Sequence, residues 1–255
     1  MEQCERSWAA REEPLLLLLA ASSFVESGAR LYAGNLVVRY KEDPEVRAWL
    51  AARWEPEELR HGSALRGYVE QIWPAFDWKQ AFERFMSAYA GLCAIDLLED
   101  SPALEMAARC VVETGTASLY RALGQYARTP VLQEIVSGIA SDEIGHYKHF
   151  YRYFRKYQSV ERRSRREILG ALVRRSALIG AEDADIGLRY AFEERYGKGR
   201  QPDFGALRRR VNALVRTNAP ATMAVKMWLK PLGLPAAAGQ LAEFVAPPVL
   251  RCLIF

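Results

Sequence analysis

The stretch Ser141-Asp-Glu-Ile-Gly-His-Tyr-Lys-His-Phe-Tyr-Arg-Tyr-Phe154 carries two of the three histidines in a chain of 255 residues. Its composition and apolar periodicity favour a helix, so Glu143 and His146, three positions apart, should lie on one helical face. A carboxylate and an imidazole that reach the same point are a metal-ligand pair. The stretch therefore predicts part of a metal site.

The same spacing recurs in Trp54-Glu-Pro-Glu-Glu-Leu-Arg-His-Gly62, where Glu58 precedes His61 by three positions. An isolated acid stands about thirty residues ahead of each motif: Glu26 ahead of the first and Glu113 ahead of the second. Both acids lie among apolar or small residues, where an unpaired carboxylate would be costly to bury. The chain thus repeats the order Glu, then Glu-x-x-His.

Helices dominate the rest of the pattern, because long apolar-periodic segments alternate with short breaks at prolines. A capping residue precedes proline at three of these breaks, which is typical of a helix start: Asp43-Pro44, Ser101-Pro102 and Thr129-Pro130. We expect an all-α protein with main helices at about 14–40, 44–72, 78–98, 102–127 and 130–158. Shorter amphipathic helices should follow near 165–178, 184–195, 204–215 and 221–229.

Short turns join the first two and the last two main helices, which predicts two antiparallel hairpins. Together they predict a ferritin-like four-helix bundle with a crossover connection, plus additional C-terminal helices. Residues 1–158 would form the bundle, and residues 159–255 would pack on it in the same domain. Four carboxylates and two imidazoles would meet inside, where two divalent cations would balance the charge; this mixed ligand set suits iron or manganese.

The two motifs, with Glu113-Thr-Gly-Thr116 between them, resemble the soluble acyl carrier protein desaturases of the ferritin-like di-iron superfamily over roughly residues 25–154. The resemblance implies six ligands for two iron ions, or for a mixed iron and manganese pair: Glu26, Glu58, His61, Glu113, Glu143 and His146. It also implies a catalytic role for Thr116, whose hydroxyl would help to deliver protons. A threonine that bonds to its own helix backbone is the alternative.

By the same resemblance, the protein would be a non-haem di-iron oxidoreductase with O2 as co-substrate, a ferredoxin-like electron donor and a homodimeric assembly. The favoured reaction is desaturation of a fatty acyl group on acyl carrier protein, and an acidic carrier would suit the arginines from Arg152 to Arg166.

One residue departs from a regular helix. Pro56 stands two positions before Glu58, so we expect a break or kink there, since an interior proline costs about 3 kcal/mol.

Three other functions stay open. A hydroxylase or N-oxygenase of a small molecule in specialised metabolism would keep the metal site, although the N-oxygenase branch adds a histidine where Ile139 stands. A ferritin-like iron-binding or ferroxidase protein would need no organic substrate, and cage assembly with many irons per chain would mark it. A metal-free helical interaction module would require the six residues to coincide by chance.

Composition bounds the partners and the compartment. The formal net charge is +4, and the basic clusters lack interleaved aromatic residues, so nucleic acid is not an expected partner. The four cysteines are far apart and form no Cys-x-x-Cys pair, which favours a reducing, cytoplasmic setting. The apolar run at 14–21 is too short to cross a bilayer. We therefore predict a buried helix start there and no transmembrane segment.

Three further residues have weaker assignments. Asp142 could accept a hydrogen bond from a ligand imidazole, or it could be a surface or capping residue. His149 is expected to be exposed rather than part of the site. The C-terminal tail has the form of a prenylation box at Cys252, but an apolar tail packed on the bundle or at a subunit contact is the preferred interpretation.

Overall fold

The computed structural model of the protein describes residues 7–93, 97–178, 184–197 and 202–235. Within these ranges every regular element is helical and no strand occurs, which confirms the all-α prediction. The α-helices are α1 Glu13–Ser27, α2 Ala29–Arg39, α3 Pro44–Trp49, α4 Glu55–Ile72, α5 Trp78–Tyr89, α6 Pro102–Tyr126, α7 Pro130–Glu161, α8 Arg165–Leu178, α9 Ala184–Tyr196, α10 Phe204–Asn218 and α11 Ala221–Leu229. A π-helical segment, Leu50–Trp54, joins α3 to α4.

Two helix pairs form the centre of the protein: α1 packs against α4, and α6 packs against α7. In the first pair, the Trp73 indole donates to the Ala10 carbonyl at one end, and Arg30 pairs with Glu55 at 3.3 Å at the other end. Residue numbers therefore rise along one helix as they fall along its neighbour, and the pair is antiparallel. The connection between the pairs, from residue 73 to residue 101, contains α5.

Helices start at all three predicted proline breaks, Pro44, Pro102 and Pro130, and two of the three preceding residues cap them with their side chains. Asp43 accepts a hydrogen bond from the Val46 N–H at 3.3 Å, and Ser101 accepts one from the Leu104 N–H at 3.3 Å. Thr129 occupies the N-cap position of α7, but its side chain makes no capping bond. Its hydroxyl lies 2.9 Å from that of Tyr68 instead, which ties the start of α7 to α4.

Two predicted helix boundaries were wrong. The segment expected to be helical from 78 to 98 ends at Tyr89, where hydrogen bonds from Leu92 and Cys93 back to residues 89 and 90 form turns. The Asn35 side chain on α2 donates to the Cys93 carbonyl and helps to hold this turn in place. The segment expected to be one helix from 14 to 40 is divided at Gly28 into α1 and α2.

The break expected at Pro56 takes the form of the π-helical segment. The Glu55 N–H bonds to the Leu50 carbonyl, five residues back, and Pro56 then lies in the first turn of α4. Proline is tolerated in a first turn because its missing N–H would have had no helical partner there. The wider π turn thus separates the proline from the preceding helix and lets Glu58 and His61 follow in regular α-helix.

The C-terminal helices pack on the two central pairs. Helix α8 contacts α6, α9 contacts α1 and α5, α10 contacts α6 and α1, and α11 contacts α6. By length and composition alone, the stretch Glu13–Arg39 could cross a membrane, and it is longer than the apolar run at 14–21. Of its most apolar part, 72% is buried inside the protein, as in the core helix of a globular domain. The tail with Cys252 lies outside the described residues.

Candidate metal centre

All six residues predicted as ligands meet between α1, α4, α6 and α7. Their ligand atoms form two groups, each within 4.8 Å, and the groups share Glu58 and Glu143. The first group adds Glu26 and His61, and the second adds Glu113 and His146. None of the six is more than 7% exposed. Two overlapping groups with two shared carboxylates are the arrangement expected for a pair of cations rather than for a single ion.

His61 occupies one end of the cluster. Its Nδ1 lies 3.1 Å from Oε1 of Glu143 and 3.6 Å from Oε2 of Glu26. Burial lowers the pKa of His61, but these two carboxylates outweigh that effect and raise it to about 11. Nδ1 is therefore the nitrogen that faces the cluster.

His146 occupies the other end with a matching geometry. Its Nδ1 lies 3.0 Å from Oε1 of Glu58, 3.6 Å from Oε2 of Glu113 and 3.8 Å from Oε2 of Glu143. Burial lowers the pKa of His146, but the neighbouring carboxylates of Glu113, Glu143 and Glu58 outweigh it and raise the pKa. Both histidines thus present the same ring nitrogen to the shared acids.

The buried carboxylates of the cluster lie close enough to repel one another. Burial, together with the nearby Glu143 carboxylate, raises the pKa of Glu58 well above its usual range and that of Glu113 to about 8. Burial acts in the same direction on Glu143, but the two histidines hold its pKa below the usual range. Cations that replace the protons of such a cluster would remove the repulsion between the carboxylates and release protons as they bind.

The cluster leaves one atom of each residue without a hydrogen-bond partner among the described residues. These are Glu26 Oε2, Glu58 Oε1, His61 Nδ1, Glu113 Oε2, Glu143 Oε1 and His146 Nδ1. They are the same atoms that define the short distances given above. Buried polar atoms are rarely unpaired in proteins, and one inward-facing atom per residue is what a bound metal pair would satisfy. The residues present therefore fit a dinuclear site of oxygen and nitrogen ligands.

The outward nitrogen of each histidine is held by an acid that belongs to the other motif. His61 Nε2 lies 3.1 Å from Oδ2 of Asp142, and His146 Nε2 lies 2.8 Å from Oε2 of Glu57. The ligand-orienting position of Asp142, one of the two sequence interpretations, is therefore the one adopted. The sequence analysis missed Glu57, although it precedes Glu58 as Asp142 precedes Glu143. Such acids orient a metal-bound imidazole and increase its basicity.

Two hydroxyl groups donate to the ligand carboxylates. The Thr116 hydroxyl lies 2.7 Å from Oε2 of Glu143, and its distances to the carbonyls of residues 112 and 113 are longer, 3.3 and 3.4 Å. The threonine thus contacts a predicted ligand as well as its own backbone. Tyr120, a further residue of α6 that was not predicted from the sequence, donates to Oε1 of Glu26. It lies seven positions after Glu113, on the same face of α6.

Aromatic side chains close the site beside His146. Trp49 and Trp54 approach the imidazole with centroid distances of 6.3 and 6.5 Å, both edge-on. His149 lies outside the metal groups and stacks on Trp49 with a centroid distance of 4.9 Å. It is half-buried rather than exposed as expected. These rings keep water from the His146 end of the cluster, which strengthens electrostatic interactions there.

Comparison of the chain with models of known protein families and with curated proteins finds no match.

Proposed function

We propose that the protein is a ferritin-like oxidase that holds two iron ions between α1, α4, α6 and α7 and uses O2 to oxidise a C–H bond of an organic substrate. The observation that supports this most directly is the set of six buried, inward-facing atoms without partners, two of them on residues common to both groups. A structural zinc site would more often use thiolates. The described cysteines, Cys93 and Cys110, are not members of either group.

The chain would supply the ligands and a protected environment. Glu58 and Glu143 would bind both ions, Glu26 and His61 one of them, and Glu113 and His146 the other. Bound iron supplies the redox chemistry of O2. For a desaturation, two hydrogens from the substrate, two external electrons and two protons reduce one O2 to two waters, and a C=C bond forms. Electrons must come from an external one-electron donor.

Thr116 is the residue of this chain best placed to move a proton. Its hydroxyl contacts Glu143 and is half-buried, so it connects a shared carboxylate with the less enclosed side of α6. Tyr120 holds Glu26 in a similar way but is buried. We assign Thr116 to proton delivery and Tyr120 to positioning of Glu26.

The acyl carrier protein substrate stays a prediction from the resemblance. Two arginines of the expected docking region are already paired within the chain: Arg152 with Glu45 at 3.0 Å, and Arg163 with Glu161 at 3.0 Å. Arg165 donates to the Leu232 carbonyl at 3.2 Å. These contacts leave fewer free cations for an acidic carrier than the sequence indicated.

The direct test is O2 consumption by protein loaded anaerobically with ferrous iron. The proposal predicts fast O2 uptake that stops after the bound iron is oxidised and resumes when a reductant is supplied. Uptake that continues with added ferrous iron, with many irons retained per chain, would instead identify an iron-storage ferroxidase. Absence of any O2 uptake by protein that holds two irons would contradict the oxidase.

A further inference from the structure

A cleft with a volume of about 730 Å³ lies beside the metal centre, between α6, α7 and the junction of α10 with α11. Two of its lining residues connect it with the cluster. Tyr120, which is buried, donates to Glu26, and Ala140, also buried, lies one helical turn before Glu143 on the same face of α7. The volume is in the range of small-molecule sites, roughly 300–1,000 Å³.

Opposite charges line this cleft. Arg121 on α6 and Glu134 on α7 are both exposed, and neither has an ion-pair partner among the residues that the structure describes. Elsewhere on the surface, many arginines and acids do pair with each other, for example Arg84 with Glu194 at 2.7 Å. A cation and an anion in one cleft that do not pair with each other can each receive a group of opposite charge from a ligand.

Two amide side chains, Gln133 and Asn218, add acceptor oxygens to a lining that also contains the hydroxyl groups of Ser137 and Ser141. The Gln133 side-chain nitrogen donates to the Ala127 carbonyl, and the Asn218 side-chain nitrogen donates to the Leu214 carbonyl, each at 2.8 Å. These bonds fix both amides and leave their oxygens as acceptors. An ammonium group, which has only donors, suits this lining. An acyl chain does not, because it would desolvate charged and amide groups without replacing their hydrogen bonds.

We propose that the cleft binds a small zwitterion with a carboxylate and an amine, of the amino acid class, with its carboxylate at Arg121, its amine at Glu134 and its remaining part directed to Tyr120. The proposal rests on the proposed function, because the metal centre next to the cleft would oxidise the bound molecule. It names a substrate class that differs from a carrier-bound acyl chain.

Calorimetric binding to the full chain tests this, with and without iron. The probes are the common amino acids, the matched acids that lack the amine, the matched amines that lack the carboxylate, and octanoate. At least one amino acid should bind at least tenfold more tightly than both of its matched analogues. Arg121→Gln and Glu134→Gln should each weaken that binding at least tenfold. Both positions are exposed, so neither change should affect folding. Lys148→Gln and Glu42→Gln, also exposed, are the matched controls.

A cleft-filling variant adds a second test. A Cβ atom at Gly124 would meet only Val136, at an ordinary 3.5 Å. Gly124→Leu, once a melting curve shows that it is folded, should abolish amino acid binding. Equal binding by wild type, Arg121→Gln and Glu134→Gln, or binding of octanoate alone, would overturn the proposal.

Metal content measured on the same samples separates the two proposals. Protein with two irons that binds no amino acid would contradict the cleft assignment and leave the oxidase intact. Protein that takes up no metal after anaerobic ferrous loading, but binds an amino acid through Arg121 and Glu134, would support the cleft as a binding site and contradict the proposed function.

Discussion

The two halves of the candidate metal centre carry the same set of predicted ligands on different helical supports. In the α6–α7 half, Glu113 and Glu143 lie well inside unbroken helices of 25 and 32 residues. In the α1–α4 half, the ligands lie next to interruptions: α1 ends directly after Glu26, and a π-helical segment precedes α4. Spacing within one turn and depth among the four helices therefore place these side chains, and continuous helices are not required.

The position after each histidine also differs between the halves. A Cβ atom at Gly62 would lie 2.4 Å from the Ser27 hydroxyl and 2.7 Å from the Ser27 nitrogen, so α1 and α4 approach too closely for any side chain. The residue after His146 is Tyr147, which is buried and donates to the Met227 carbonyl at 2.6 Å. One half thus uses this position for close helix contact, and the other uses it to hold α11.

The largest effect is expected when the acids common to both groups, Glu58 and Glu143, are compared with an acid that belongs to one group. Glu58→Ala and Glu143→Ala should abolish the rise in melting temperature that ferrous iron produces, because both ions lose a ligand. Glu26→Ala should keep part of it, since only one ion is affected. Free iron at a hundred times Kd would raise the free energy of unfolding by about 2.7 kcal/mol for one site. Glu42→Ala is the surface control. Equal retention of the rise in Glu58→Ala and Glu26→Ala would mean that the acids are not shared.

The second largest effect is expected from the acids that orient the two histidines. Glu57→Gln should weaken iron binding by roughly 10–100-fold, the usual effect of removing such a partner. Asp142→Asn should have a smaller effect, because the Asp142 side chain is 40% exposed and that of Glu57 only 9%, so water can replace the lost bond more easily at Asp142. Competition with a coloured chelator gives both affinities, and Glu70→Gln serves as the control. A larger loss of iron affinity in Asp142→Asn than in Glu57→Gln would contradict this expectation.

Substitution of Gly62 should have the third largest effect, on the stability of the protein. Gly62→Ala should destabilise the protein by about 1–3 kcal/mol, since the new methyl group overlaps the Ser27 backbone. Gly138→Ala, in an open position on α7, should stabilise it by about 0.5–1 kcal/mol because alanine is the better helix former. Urea unfolding of the metal-free variants measures both changes. If Gly62→Ala were as stable as wild type, the close approach of α1 and α4 would be wrong.

The smallest effect on binding is expected at Thr116. Thr116→Val should retain its metal content but consume O2 more slowly, while Thr116→Ser, which keeps the hydroxyl, should resemble wild type. The two variants are compared by iron per chain and by the initial rate of O2 uptake. Unchanged uptake in Thr116→Val would limit this threonine to its contact with Glu143.

The two Glu-x-x-His pairs could be predicted from the sequence because spacing within one helical turn is a local property, and Glu26 and Glu113 could be predicted because each is an isolated acid at about the same distance ahead of a pair. Tyr120 could not, since its contact with Glu26 depends on how α6 is rotated towards α1. Glu57 could have been found by comparing the residues that precede the two motifs. The turn after Tyr89 is held in part by a side chain from α2, a contact that the apolar pattern of the segment does not show.

We propose above all that Glu58 and Glu143 join two metal ions in one centre. The most direct measurement is iron and manganese per chain after anaerobic ferrous loading of wild type, Glu143→Ala and His146→Ala. We expect about two metals per wild-type chain, with loss in both variants. Wild-type protein without metal, or variants that bind as much metal as wild type, would contradict it.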